Sequence, residues 1–211
     1  MLEEAICRQL WVVLPVPLLL FLSDHYLTIL AARYLKEGAG EHIQREGSYE
    51  LTPAWQDDVD ALRLFSPKFL RAALSFSLLI VVFWFVSREN DLAMFFFRLF
   101  WGGHILLELC IHIRHARNIT LFRCAKTHQG VRGRVWTARW LSYRQSAVQL
   151  LAWCALLLVL HLLTGSVFVL GGGVMLGCTS LSHWKLSQTT ANAPASGRLS
   201  PSRETHKGAG Q

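Results

Sequence analysis

Apolar residues in this chain come in long runs rather than at alternating or heptad positions. Five runs, at about 10–32, 69–87, 92–113, 145–163 and 166–184, each approach the ~20 residues an α-helix needs to cross a ~30 Å hydrocarbon core. A surface helix of a water-soluble domain shows a polar face at every turn, and these runs mostly lack one. The pattern predicts an all-α fold, a polytopic transmembrane bundle of about five spanning helices within residues 1–186. The fifth run, GSVFVLGGGVMLGCTSLSHW, is rich in glycine and leaves a re-entrant segment open beside a full span. Gly173 and Gly177, aided by Gly165 and Ser180, read as a close helix-packing face. Pro15 and Pro17 predict a kink in the first helix. The stretch from 187 to 211 is small, polar and proline-bearing; it cannot bury enough apolar surface to order itself and is expected to be disordered.

The first run follows MLEEAICRQ, with two acids against one base, and no small-residue cleavage site comes soon after. It therefore reads as a retained helix rather than a signal peptide. The average composition, 52% hydrophobic with a mean hydropathy of +0.32, adds little to what the distribution already says. The five cysteines stand singly without a CxxC pair, which supports neither a disulfide framework nor a zinc site.

Charge sets the threading. The net charge is +7, and the segment from Arg114 to Arg144 holds eight bases and no acid. Beside two apolar runs this is the signature of a cytoplasmic connection, not of a nucleic-acid surface. Alternation then places the N-terminus and the turns at 87–91 and 161–166 outside, and the connection 36–68 and the tail inside. The expected location is a bacterial inner (cytoplasmic) membrane. Within the basic connection, Trp136, Trp140 and Tyr143 recur at helical spacing among Arg132, Arg134 and Arg139. That spacing predicts a helix lying at headgroup depth, with Arg132, Arg134, Trp136, Arg139 and Trp140 touching anionic lipid. Asn118-Ile-Thr120 matches a glycosylation sequon but falls on the cytoplasmic side.

The connection 36–68 carries LTPAWQDDVDALRLFSPKF, with Thr52 as an N-cap candidate, Pro53 at the first helical position and Asp57 and Asp58 in the first turn. It predicts a short interfacial helix with an apolar stripe of Trp55, Val59 and Leu62; Ser66-Pro67 then opens the second span. The preceding HIQREGSYELT is expected as a solvated loop, with folding back over the bundle as the alternative.

Ionisable residues inside the apolar runs are the functional lead, because they are costly in lipid and face the bundle interior. On the third helix, His104, Glu108, His112 and His115 share an arc of about 80°. Glu108 lies roughly 24 Å along that helix and Asp24 roughly 21 Å along the first, so the two acids share a depth. The candidate polar cluster is Asp24, His25, His104, Glu108 and His112. Three readings stand open: a structural lock in which Arg114, Arg117, Arg139 or Arg144 pairs with the acids, ion or proton handling with His as relay, and a divalent metal held by His104, Glu108 and His112. No cofactor is required by the sequence. No serine stands out as a nucleophile, since hydroxyls in spanning helices usually bond to the preceding turn. The expected role is a non-enzymatic membrane component that binds lipid or a partner protein, self-associates through its helices or supports transport. The alternative is an intramembrane metal-assisted hydrolase or transferase acting on a lipid-borne substrate.

Overall fold

The computed structural model describes residues 2–127 and 130–192. Five of its helices are long and apolar enough to cross a membrane, and the chain reads as a multi-pass membrane protein. They are α2 and α3 taken together (Leu10–Val13 and Pro15–Lys36), α5 (Pro67–Ser87), α6 (Asp91–Lys126), α7 (Arg139–Thr164) and α8 (Val167–Ala191). Ahead of them lies a six-residue helix, α1 (Leu2–Cys7), and α4 (Gln56–Asp60) interrupts the connection between the first two spans. The break between α2 and α3 falls at Leu14, one residue before Pro15, where the missing amide interrupts the helical ladder. The fifth run is one unbroken 25-residue helix rather than a re-entrant segment.

Helix α6 is the hub, packed against α3, α5 and α8, while α7 lies along α8. Outward faces are apolar where a hydrocarbon solvent requires it: Leu70, Leu74 and Leu78 on α5 and Val148, Leu151 and Leu162 on α7 are all exposed. Where α6 meets α8 the backbones nearly touch. A Cβ on Gly171 would collide with the carbonyl of Leu99 and stand 2.9 Å from the amide nitrogen of Gly103. Gly173 and Gly177 face α7 instead, beneath Leu158 and Cys154. Gly165 has no packing role; it holds the left-handed turn, φ 65°, that ends α7.

The helices overrun the apolar runs at the end that carries the two long connections. There α6 continues to Lys126 and buries Phe122 and Ala125 against Tyr34, Leu35, Ile43 and Tyr49. The supposed loop 114–144 is thus largely helix, and α8 extends past residue 184 to Ala191. The remainder of the tail expected to be disordered lies outside the described residues. Two three-residue strands, β1 (Ile43–Arg45) and β2 (Val135–Thr137), pair in parallel with Arg45 opposite Thr137 and tie the connections together. This overturns the headgroup-level helix: Trp136 is in a strand while Trp140 and Tyr143 are on α7, so the three share no helix face.

The connection 37–66 is packed over the bundle end, not a solvated loop. Tyr143 donates to the carbonyl of Leu51 (2.8 Å), and the Arg139 amide donates to Glu46 Oε2 (3.0 Å). The predicted short helix is present as one 3₁₀ turn, Pro53–Trp55, followed by α4. Of its stripe, Val59 is buried, whereas Trp55 and Leu62 are half-buried. Thr52 makes no side-chain cap. Ser66 does cap α5, accepting from the Phe69 amide (3.4 Å), and its hydroxyl donates to Asp58 Oδ2 (2.7 Å). That hydrogen bond, aided by Arg63 at 3.1 Å, holds the Asp58 carboxyl below the usual carboxylate range.

At the opposite end α1 folds across the bundle. Glu3 pairs with Arg98 of α6 (2.5 Å) and accepts from Ser166 at the start of α8, while Trp84 of α5 donates to the Cys7 carbonyl (3.0 Å).

Candidate functional site

A cavity of about 260 Å³ opens between α3, α6, α7 and α8 beneath the segment 50–59. Asp24, His25 and Thr28 of α3, Glu108 and Arg114 of α6, and His183 of α8 reach its wall, with Glu50 in the roof. The shared depth of Asp24 and Glu108 therefore translates into a shared chamber. Glu108 is 6% exposed, and its Oε2 has no hydrogen-bond partner among the described residues. His25 is buried with its ring stacked on Phe69 at 3.9 Å.

Beside the chamber a polar relay joins α3 to α6. His115 Nε2 lies 2.8 Å from Asp24 Oδ1 and 3.2 Å from Thr28 Oγ1. On its other side Nδ1 is 3.4 Å from the Tyr49 hydroxyl, which accepts from Asn118 Nδ2 at 3.1 Å. The network assigns the tautomer: Nε2–H donates to the carboxylate and Nδ1 accepts from tyrosine. A second relay joins α6, α7 and α8: Arg114 donates to Ser146 Oγ (2.9 Å), whose hydroxyl is 2.8 Å from His183 Nδ1. The arginine lock expected on the two acids is not what forms. Arg114 is turned to Ser146, and Asp24 is paired with an imidazole.

The other two members of the predicted cluster go elsewhere. His104 packs its ring 4.4 Å from that of Phe76, toward α5. His112 bonds across to α3, with Nε2 2.6 Å from Ser23 Oγ and Nδ1 donating to the Glu108 carbonyl (2.7 Å). His104, Glu108 and His112 thus take three different directions. Among the described residues no three His, Cys, Asp or Glu side chains are gathered as a metal would need, so this donor set does not fit a metal.

Of the basic aromatic segment, Arg132, Arg134 and Trp136 are exposed. Arg139 and Trp140 are half-buried, and the Arg139 guanidinium lies over Tyr143 at 5.8 Å. Glu50, Tyr49, Ser146 and His183 are the site residues that sequence reasoning missed. The stretch EGSYELTP lines this chamber through Glu50, Leu51 and Thr52, yet nothing in its local pattern announces it.

No known family, curated protein or solved structure matches the chain.

Proposed function

We propose that the protein is a non-catalytic component of the cytoplasmic membrane that binds a small cationic or amine-bearing ligand in the Asp24–Glu108 chamber. In this reading the N-terminus is outside, and the connections 37–66 and 127–138 and the C-terminal tail lie in the cytoplasm, a threading that the eight bases from Arg114 to Arg144 support. Arg132, Arg134 and Trp136 then meet anionic headgroups, and α4 lies at the same interface.

One observation carries the binding role: the buried, unpartnered Oε2 of Glu108 in a cavity that Asp24 also lines. A carboxylate oxygen removed from water without a donor is costly, and a ligand N–H supplies the missing bond. Three carboxyl groups, Asp24, Glu50 and Glu108, against one guanidinium give the wall an excess of acceptors that favours a cation or amine over an anion. The test is thermal melting of the detergent-purified chain with ethanolamine hydrochloride against sodium chloride at equal ionic strength. A saturable rise in Tm is expected in the wild type, kept in Glu89→Gln at the far end and lost in Glu108→Gln. The same response in wild type and Glu108→Gln would refute the reading.

A hydrolytic reading has one observation in its favour, the 2.6 Å contact of Ser23 with His112 and the backbone bond that orients that imidazole. Neither residue lines the chamber, so this reading leaves the buried carboxyl group of Glu108 without a role. A fluorophosphonate probe is expected to leave Ser23 unlabelled; labelling lost on Ser23→Ala would favour the hydrolase.

A further inference from the structure

Next to the carboxylate chamber lies a second, smaller cavity of about 60 Å³ with the opposite electrostatic character. Three guanidinium groups line it: Arg45 at the end of β1, and Arg114 and Arg117 one turn apart on α6. Gln145 and Gln149 of α7 add amide donors to the wall. Among the described residues the only acid on it is Glu50, one carboxylate against three guanidinium groups, with its Oε1 accepting from the Thr52 amide at 2.6 Å.

None of the three arginines is in an ion pair among the described residues. Arg45 is set over the rings of Tyr49 and Phe122, at 5.4 and 5.7 Å, and its buried Nε has no hydrogen-bond partner. Burial works against its charged form, and Arg114 and Arg117 add repulsion. A protein that holds three like charges round a cavity, one of them desolvated and short of an acceptor, is stabilised by an anion there. The position is also fixed, since β1 is held by its pairing with β2 and by the Glu46 amide bonded to the Thr137 carbonyl at 3.0 Å.

We propose that Arg45, Arg114 and Arg117 form a binding site for a phosphate group. A tetrahedral oxyanion offers enough acceptor oxygens to engage three planar forks at once, which chloride or a single carboxylate does not. The cavity of about 60 Å³ has room for roughly four to six water-sized groups, at the roughly 10–15 Å³ that one water needs, which suits a phosphate group. The site stands at the end of the bundle with the long connections, where both a lipid headgroup and a soluble phosphate ester arrive. It shares Arg114 and Glu50 with the carboxylate chamber, but Arg45 and Arg117 line this cavity alone, so it does not depend on an amine binding next door.

Two arms test it and separate the sources. In the first, the full chain in a non-ionic detergent is melted with sodium phosphate against sodium chloride at equal ionic strength. In the second, the chain in nanodiscs of phosphatidylcholine with and without phosphatidic acid is released into detergent, and retained lipid is read by native mass spectrometry. A saturable rise in Tm in the first arm identifies a free phosphate ligand; retention of phosphatidic acid in the second without that rise identifies a headgroup. Either result upholds the site if Arg117→Gln, at an exposed position that leaves the fold intact, and Arg45→Gln lose the effect while Arg123→Gln, at an exposed position of α6 outside the cavity, keeps it. The proposal is overturned if both arms are blank, or if the arginine variants respond as the wild type does, which would leave only diffuse attraction to a basic surface.

Discussion

The imidazole of His115 donates to the carboxylate of Asp24 across the interface of α3 and α6, at 2.8 Å, and is itself 3% exposed. This pair converts two residues that are costly in a membrane into a link between helices. Because His115 is buried and Asp24 half-buried, their coupling is expected to exceed that of a fully exposed surface pair, for which about 0–1 kcal/mol is usual. A double-mutant cycle with Asp24→Asn and His115→Gln, read by chemical denaturation in detergent, is expected to give an interaction energy within the roughly 0.5–3 kcal/mol found for contacting residues. Additive effects would show that the two side chains are neighbours without being partners.

The common chamber of Asp24 and Glu108 makes a geometric prediction. With Asp24→Cys and Glu108→Cys combined, a short bifunctional reagent should link α3 to α6 efficiently. With Asp24→Cys and Leu106→Cys it should not, because Leu106 faces Gly172 of α8. Mobility on denaturing gels after proteolytic cleavage of the connection 37–66 reads the outcome, and the reverse order of efficiencies would remove the chamber.

Length and apolarity made the five spans legible, and the depth of the two acids followed from helical rise alone. What the apolar runs concealed was the last turns of α6. Phe122 and Ala125 bury there among Arg117, Arg123 and Lys126, so the hydropathy falls while the helix continues. The spacing of Trp136, Trp140 and Tyr143 suits a helix, but β2 is set by its partner β1, far away in sequence, and no local pattern encodes that partner. Arg45, Tyr49, Ser146 and His183 reach the site through such long-range packing. A residue's type is read from sequence; the neighbour that gives it chemistry is supplied by the fold.

Asp58 supplies a pH signature. Its folded carboxyl titrates below the ordinary value because Ser66, and with it Arg63, favours the charged form. Its stabilising effect is therefore complete above the unfolded value, about 3.9, and disappears as pH falls through the lower folded value. Asp58→Asn should cost on the order of 1 kcal/mol at pH 7. Melting curves of the wild type and the variant are expected to converge below about pH 4. A constant difference down to pH 3 would mean that the carboxylate's charge plays no part.

Close contact of α6 with α8 depends on missing methyl groups at Gly102, Gly103 and Gly171. A Cβ at Gly171 has the Leu99 carbonyl and the Gly103 amide in its way, both backbone atoms that move only if the helices separate. At Gly177 the added Cβ meets one side-chain atom, Cys154 Sγ at 3.3 Å, which can give way. Overpacking of a fixed backbone typically costs about 1–3 kcal/mol, so Gly171→Ala should lower the Tm clearly while Gly177→Ala stays near the wild type. The loss should extend beyond stability. Separation of α8, with α7 packed along it, from α6 pulls the Ser146–His183 pair away from Arg114, so Gly171→Ala should also weaken any ligand response of the carboxylate chamber. Equal melting of the two alanine variants would show that the helices do not approach as closely as their glycines allow.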